Sequence, residues 1–337
     1  MEVSGYADYL TRADLRLLAR AVGLSDDTVR GLAGDPVAVE GLLADPRVFE
    51  AVFGPSAPTP PASPEALVLV SPFLAFGVAV HRAVADLAAM DYLPERSGLR
   101  QRVPVFDTPE LRDFLGSAER RLFLAELLAS FTRVASGRYR VPSRWGGRAP
   151  DSDGSAGGGT GAGAGAWAVW SGAAGAGSGS GGGRAGVAGG RSRTRRFSEL
   201  DPVKLAGLID VAPEESRPGI YRRLGDVSLF LAGVFPDYSA MHAFGPVDVS
   251  RLLRSARVPL GERGDLATAP ALDLLEYLGA RWYRAALATA PVRTARLDVV
   301  GEVAERFRQA RRVLNHLADR YLVGSGTTGW LPQPGTS

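Results

Sequence analysis

The stretch Tyr221–Tyr238 constrains this chain more than any other. It opens polar, with Arg222, Arg223 and Asp226, then runs apolar from Val227 to Phe235, interrupted only by Ser228, and stops at Pro236. A helix apolar on every side has no solvent face and belongs at the centre of a helical core. The expectation is an all-α fold, a multi-helix globular bundle organised around this helix.

The rest of the chain supplies helices to pack on it. Thr11, with Asp14 three residues on, makes a capping box ahead of a helix over 12–22, and Gly23 supplies a left-handed stop. Ser25 caps a second helix to about Ala33. Asp35-Pro36, Asp45-Pro46, Ser63-Pro64, Ser71-Pro72, Thr108-Pro109 and Asp201-Pro202 repeat one device. In each, an acceptor is followed by proline in the first turn, where its missing N–H costs nothing. The longest nearly apolar run, Ala66–Val80, is broken by Ser71 and Pro72. It falls short of the about 20 apolar residues that span a membrane, so it predicts a buried helix to about residue 90.

Leu122, Leu124, Leu127, Leu128 and Phe131 form the stripe of an amphipathic helix that Ser117 starts. Two long helices, about 271–289 and 294–322, are joined by the short Ala290–Arg293 and so should be antiparallel neighbours. Residues 91–108 and 258–270 read as irregular.

The expected organisation follows. Residues 1–54 form a unit of short helices and 55–63 a stiff, proline-rich linker. The core is built from 64–145 and 193–323, and 324–337 is a loose tail. Residues 146–192 are glycine-rich with few large apolar groups, and should be disordered. Alternating residues at 137–141 and 193–198 suggest one small β-hairpin carrying that tract as an insertion. A linker between two domains is the equal alternative.

Composition narrows the chemistry. The chain has no cysteine, which removes disulfides, thiolate zinc sites, iron–sulfur clusters and cysteine nucleophiles. Its 39 basic residues exceed its 36 acidic ones only slightly, so there is no broad basic field for nucleic acid. Lys204 is the only lysine, so arginine is simply this chain's base and is no phosphate signal by itself. The first residues lack a basic segment and apolar core, which makes the cytoplasm the default expectation. No cofactor and no metal site is expected.

The most specific local pattern lies in Leu15–Leu32. Ala19, Gly23, Leu24, Val29 and Leu32 hold the spacing that resembles the helix-turn-helix of DNA-binding regulators. The resemblance covers about twenty residues and implies Ser25, Thr28 and Arg30 as DNA contacts. Against it, Asp26 and Asp27 would face phosphate from the start of the recognition helix. A basic cluster within 184–196 is a second possible nucleic-acid contact, or a solvated flank.

Three histidines are present, and none has the spacing of a helical metal site. His316 is expected exposed on the last helix, and His81 capping a helix or facing solvent. His242 follows Asp237, which could orient it as a base. Arg222 and Asp226 are four apart and can pair; Arg223 must then meet a carboxylate elsewhere or an anionic ligand. The candidate ligand site is therefore Arg222, Arg223, Asp226, Asp237 and His242. The expected function is non-catalytic binding of a protein partner or ligand. A DNA-binding regulator comes second, and an enzyme using Arg223 or His242 third.

Overall fold

The computed structural model describes residues 5–54, 70–96, 102–132, 200–241 and 244–322, and the backbone alone at 136–142 and 192–198. Within these residues the fold is all-α apart from two short antiparallel strand pairs. Helix α1 (Arg12–Ala21) begins at the capping box: the Thr11 hydroxyl accepts from the Asp14 N–H, and Asp14 accepts from the Thr11 N–H at 2.8 Å. Asp14 is fully buried, and its other oxygen accepts from the Ser71 N–H at 2.9 Å. A local cap thereby also ties this unit to the helix that starts at Pro72. Gly23 ends the turn with φ of 79°.

The next segment departs from expectation. In place of one helix to Ala33 there is a 3-10 turn (Asp26–Thr28) and one α turn, α2 (Val29–Leu32). Gly31 and Gly34 weaken helix propensity here, and Asp35-Pro36 starts a new helix at once. Helices α3 (Pro36–Leu43) and α4 (Pro46–Phe53) are capped by the Asp35 and Asp45 carboxylates. In α5 (Pro72–Ala88) every residue from Phe73 to Val80, and His81 after it, is buried. Among the described residues no helix is long and apolar enough to cross a membrane.

Residues 91–108 are not irregular throughout. Strands β1 (Leu93–Arg96) and β2 (Arg102–Val105) pair antiparallel, with Pro94 opposite Pro104. Proline argues against a central strand because it cannot donate to the ladder, but a two-stranded ribbon has only edges. Helices α6 (Thr108–Leu115) and α7 (Ala118–Ser130) follow. The backbone then pairs β3 (Ser136–Pro142) with β4 (Ser192–Ser198). The glycine-rich tract before Ser192, the linker at 55–63 and the tail from 324 lie outside the described residues.

The second half carries α8 (Pro202–Ile209), α9 (Arg217–Val234), α10 (Pro236–Met241) and α11 (Pro246–Ser255). Residues 258–270, read from sequence as a loop, hold a 3-10 turn (Leu260–Glu262) and α12 (Arg263–Ala267). Then come α13 (Ala271–Thr289), α14 (Ala295–Glu305) and α15 (Phe307–Leu317), ending in a π turn (Ala318–Leu322). The single helix expected over 294–322 is thus broken at Arg306, whose ψ is 35°. The apolar stripe runs through the break, so periodicity did not mark it. Arg284 reaches the Ala304 carbonyl, and Leu287 lies against Gly301, so α13 and α14 run antiparallel.

Helix α9 is the centre. From Leu224 to Val234 every residue is buried. It packs on α13 and α15 through small residues. A Cβ on Gly225 would overlap the Tyr283 ring, and one on Gly233 would lie 2.6 Å from the Leu314 Cβ. Phe230 stacks on Phe131 with centroids 4.1 Å apart. Burying a ring of that size contributes roughly 2–3 kcal/mol.

Candidate functional site

The residues singled out on α9 occupy two separate places. At the N-terminal end Asp226 is buried and accepts from the Tyr283 hydroxyl at 2.8 Å. Burial raises its carboxyl above the usual range, against the opposing charges of Arg222 and Arg223 and that hydrogen bond. Burial also raises the Tyr283 phenol, with the Asp226 charge adding to it. Arg223 donates to the Ser130 hydroxyl at 2.9 Å, and its guanidinium lies 4.0 Å over the Phe131 ring. This is a packed polar plug. Asp237 sits beyond the other end, on α10, past the roughly 12 Å of helix from Asp226 to Val234. It lies 3.7 Å from Arg96, which also donates to the Val234 carbonyl at 3.1 Å. His242 lies outside the described residues.

The other two histidines contradict their expected exposure. His81 is buried, with its ring centroid 5.3 Å from that of Tyr6. Burial, helped by the Arg121 charge, pushes it down to about 3, so it is neutral. Its Nε2 has no hydrogen-bond partner among the described residues. His316 is buried too, with Nε2 3.3 Å from an Asp86 oxygen that also accepts from the Tyr321 hydroxyl. Burial acts to raise Asp86, but the hydrogen bonds from His316 and Tyr321 and the Arg320 charge outweigh it and hold the carboxyl low. Both histidines look polar in sequence, yet helical spacing turns them inward, and the partners are distant in the chain.

A charged seam runs along α15. Arg311 is only 4% exposed and meets Glu95 at 2.5 Å and Glu276 at 2.8 Å. Arg312 meets Glu95 at 2.9 Å and also binds Asp107, and Arg308 meets Glu276 at 2.7 Å. The carboxylates come from β1, the loop before α6, and α13. The seam fastens these elements together, buried at Arg311 and open to solvent at Arg308, and each of its arginines holds a carboxylate.

The arginines around the cleft between α8, α9 and α11 differ. This concavity of about 270 Å³ is lined by Arg217, Arg251, Arg254 and Arg257, with Tyr221, Ser255 and Asp210. Arg217 comes from the first turn of α9, Arg251 and Arg254 from successive turns of α11, and Arg257 from just beyond it. Arg251 lies 3.7 Å from Asp248. Arg217, Arg254 and Arg257 form no ion pair with the described residues, and the Arg217 Nε is shut from solvent without a hydrogen-bond partner. Elsewhere arginines cap helix ends, as Arg112 does with the Leu87 and Met90 carbonyls. Among the described residues the cleft guanidiniums donate to no such group. Planar guanidinium forks of this kind match carboxylate and phosphate oxygens.

Sequence reasoning missed this cleft. The signal was the three-residue spacing of Arg251 and Arg254, which keeps them near one side of α11, with Arg257 just past its end. Arg217 joins them only through the packing of α9 against α8 and α11. In the segment resembling a helix-turn-helix, Leu15, Leu18, Ala19, Val29 and Leu32 are buried. Ser25, Thr28 and Arg30 are exposed, but the helix that would carry them into a groove is a single turn. Among the described residues no group of three or more His, Asp or Glu side chains is arranged to hold a metal ion. No protein-family model, curated protein or solved structure matches this chain.

Proposed function

We propose that the protein is a cytoplasmic, non-catalytic binder that holds an anionic ligand in the arginine-lined cleft. One observation carries this reading: Arg217, Arg254 and Arg257 line one concavity with Arg251 while making no ion pair with the described residues. Like charges held together repel, and an anion bound among them relieves that repulsion. The packed surroundings of Arg223 and Asp226 favour a structural role for those residues. The one-turn helix after Gly23 makes the DNA-binding reading the weaker one, since groove reading uses the side chains of an inserted helix.

Calorimetric titration of orthophosphate into the full chain tests the proposal. The expected result is saturable binding that weakens with added salt. The Arg251→Ala/Arg254→Ala double variant should bind at least about tenfold more weakly while keeping its circular-dichroism spectrum, a loss of about 1.4 kcal/mol. No binding by the unaltered protein up to about 10 mM anion would remove the reading.

A further inference from the structure

We infer that the 3-10 turn Tyr6–Asp8 is an acid-released plug on α5. Phe73, Gly77 and His81 are spaced by four, so they lie along one face of that helix. The Tyr6 ring is laid across this face. Its centroid is 6.0 Å from that of Phe73 and 5.3 Å from that of His81, and a Cβ on Gly77 would lie 3.5 Å from its Cε1. Burial of the ring favours the closed turn. Two polar atoms oppose it. The Tyr6 Oη and the His81 Nε2 are both shut from solvent, and neither has a hydrogen-bond partner among the described residues. Each forfeits its water without replacement, and opening the turn restores it. The turn is closed by the Asp8 N–H on the Gly5 carbonyl at 3.2 Å and the Tyr9 N–H on the Tyr6 carbonyl at 3.1 Å. Tyr9 stacks on Phe73 with centroids 4.9 Å apart, so the chain stays anchored just after the turn when Tyr6 lifts.

Charge tips this balance. Arg121 and Glu126 of α7 and Glu40 of α3 all act on the Tyr6 hydroxyl. The two carboxylates already serve arginines: Arg121 binds Glu40, and Glu126 lies 3.9 Å from Arg296. Further along α5, Asp86 is held by Arg82 and by His316 of α15, and Asp45 ahead of α4 is held by Arg47. The charge that acts on His81 is the Arg121 cation. An imidazolium formed under the plug would therefore be a second cation beside Arg121, stripped of water. The face of the Tyr6 ring returns less than that lost hydration. Burial and the Arg121 charge hold the closed imidazole neutral down to about pH 3, whereas lifting Tyr6 lets it ionise towards its ordinary value of 6.5. Below that value the open form binds more protons than the closed one, so opening grows by up to about tenfold for each pH unit of acidification.

The test is hydrogen exchange of the Asp8 and Tyr9 amides in the full chain between pH 7 and pH 5, with each rate corrected for the intrinsic rate at that pH. Opening of the turn should rise at least about tenfold over this range. Protection should stay well below that of the α9 amides and respond little to dilute urea, as local opening does. His81→Phe should abolish the rise. Tyr6→Phe keeps the ring and removes the unpartnered hydroxyl, so it should slow exchange at every pH and leave the rise in place. Opening that does not grow with acid would overturn the inference, and so would a rise that survives His81→Phe. Protection and urea dependence equal to those of α9 would overturn it too, because acid would then act only through global unfolding. Faster exchange in Tyr6→Phe would show the hydroxyl to be held in place, and the plug not to be poised to open.

Discussion

The seam along α15 and the cleft beside α11 use the same side chain to opposite ends. In the seam, Arg308, Arg311 and Arg312 each hold at least one carboxylate drawn from Glu95, Glu276 and Asp107. In the cleft, Arg217, Arg254 and Arg257 hold none among the described residues. Burial explains the first half of that contrast. A guanidinium as enclosed as Arg311 loses its hydration and must be paired. An exposed arginine has no such need, so lacking a partner is ordinary for Arg254 or Arg257 taken singly. The lesson lies in the grouping. Four arginines set around one concavity repel each other, and one of them sits at a strained backbone position. Pairing therefore reports on stability, and the proposed anion site rests on the grouped arginines that lack it.

The largest expected effect breaks the seam. Glu95→Ala strips Arg311 and Arg312 of a shared carboxylate while leaving both charges in place. Arg311 keeps Glu276 and Arg312 keeps Asp107, so the loss should fall below the about 3–5 kcal/mol of a buried charge left wholly unpaired. Urea denaturation should show that loss, and a loss near zero would mean water reaches the seam and the contrast with the cleft is false.

The next prediction concerns His81, whose buried Nε2 has no hydrogen-bond partner among the described residues. His81 is held neutral, with its ionisation pushed from about 6.5 in an unfolded chain down to about 3. Between those values the unfolded chain binds more protons than the folded one, so stability must fall as pH drops from about 6.5 towards 3. The loss from this residue should be on the order of a few kcal/mol. His81→Phe should flatten that part of the pH dependence relative to the unaltered protein, as read by denaturation at a series of pH values. An unchanged slope would show that His81 is hydrated.

These residues also mark what was legible in the chain. Local signals worked where the physics is local. The caps at Thr11, Ser71, Ser117 and Asp201 start helices as their side chains dictate, and the apolar run after Val227 is the fully buried helix at the centre. Signals failed where the deciding partner is distant. Pro94 and Pro104 concealed a hairpin because only their pairing makes each strand an edge. His316 looked exposed because Asp86, which holds it, is 230 positions away. The cleft needed Arg217 and Arg254 together, and no spacing rule joins them.

A smaller effect separates cleft from seam directly. Arg251→Ala/Arg254→Ala removes two mostly solvated charges, so its stability without ligand should stay within about 0.5 kcal/mol of the unaltered protein. Adding orthophosphate should then distinguish them. A ligand at about ten times its dissociation constant stabilises the folded state by about 1.4 kcal/mol, raising the melting temperature of the unaltered protein well above any rise in the variant, whose gain should be about 0.4 kcal/mol or less. A variant that unfolds readily without phosphate would place these arginines in the fold and collapse the contrast.

The smallest effect is the sharpest, because its sign opposes the usual one. Most substitutions destabilise. Arg257→Gly should stabilise, by up to about 1 kcal/mol, since it relieves a left-handed backbone position that glycine adopts without strain. Two changes oppose the gain: the cation–π contact with Tyr221 is lost, and glycine widens the unfolded ensemble. Relief of repulsion from the other three cleft arginines adds to it, most strongly at low salt. A gain that shrinks as salt is added would assign part of the cost of Arg257 to its charged neighbours. A net loss at every salt concentration would make Arg257 a structural residue, held by its contact with Tyr221.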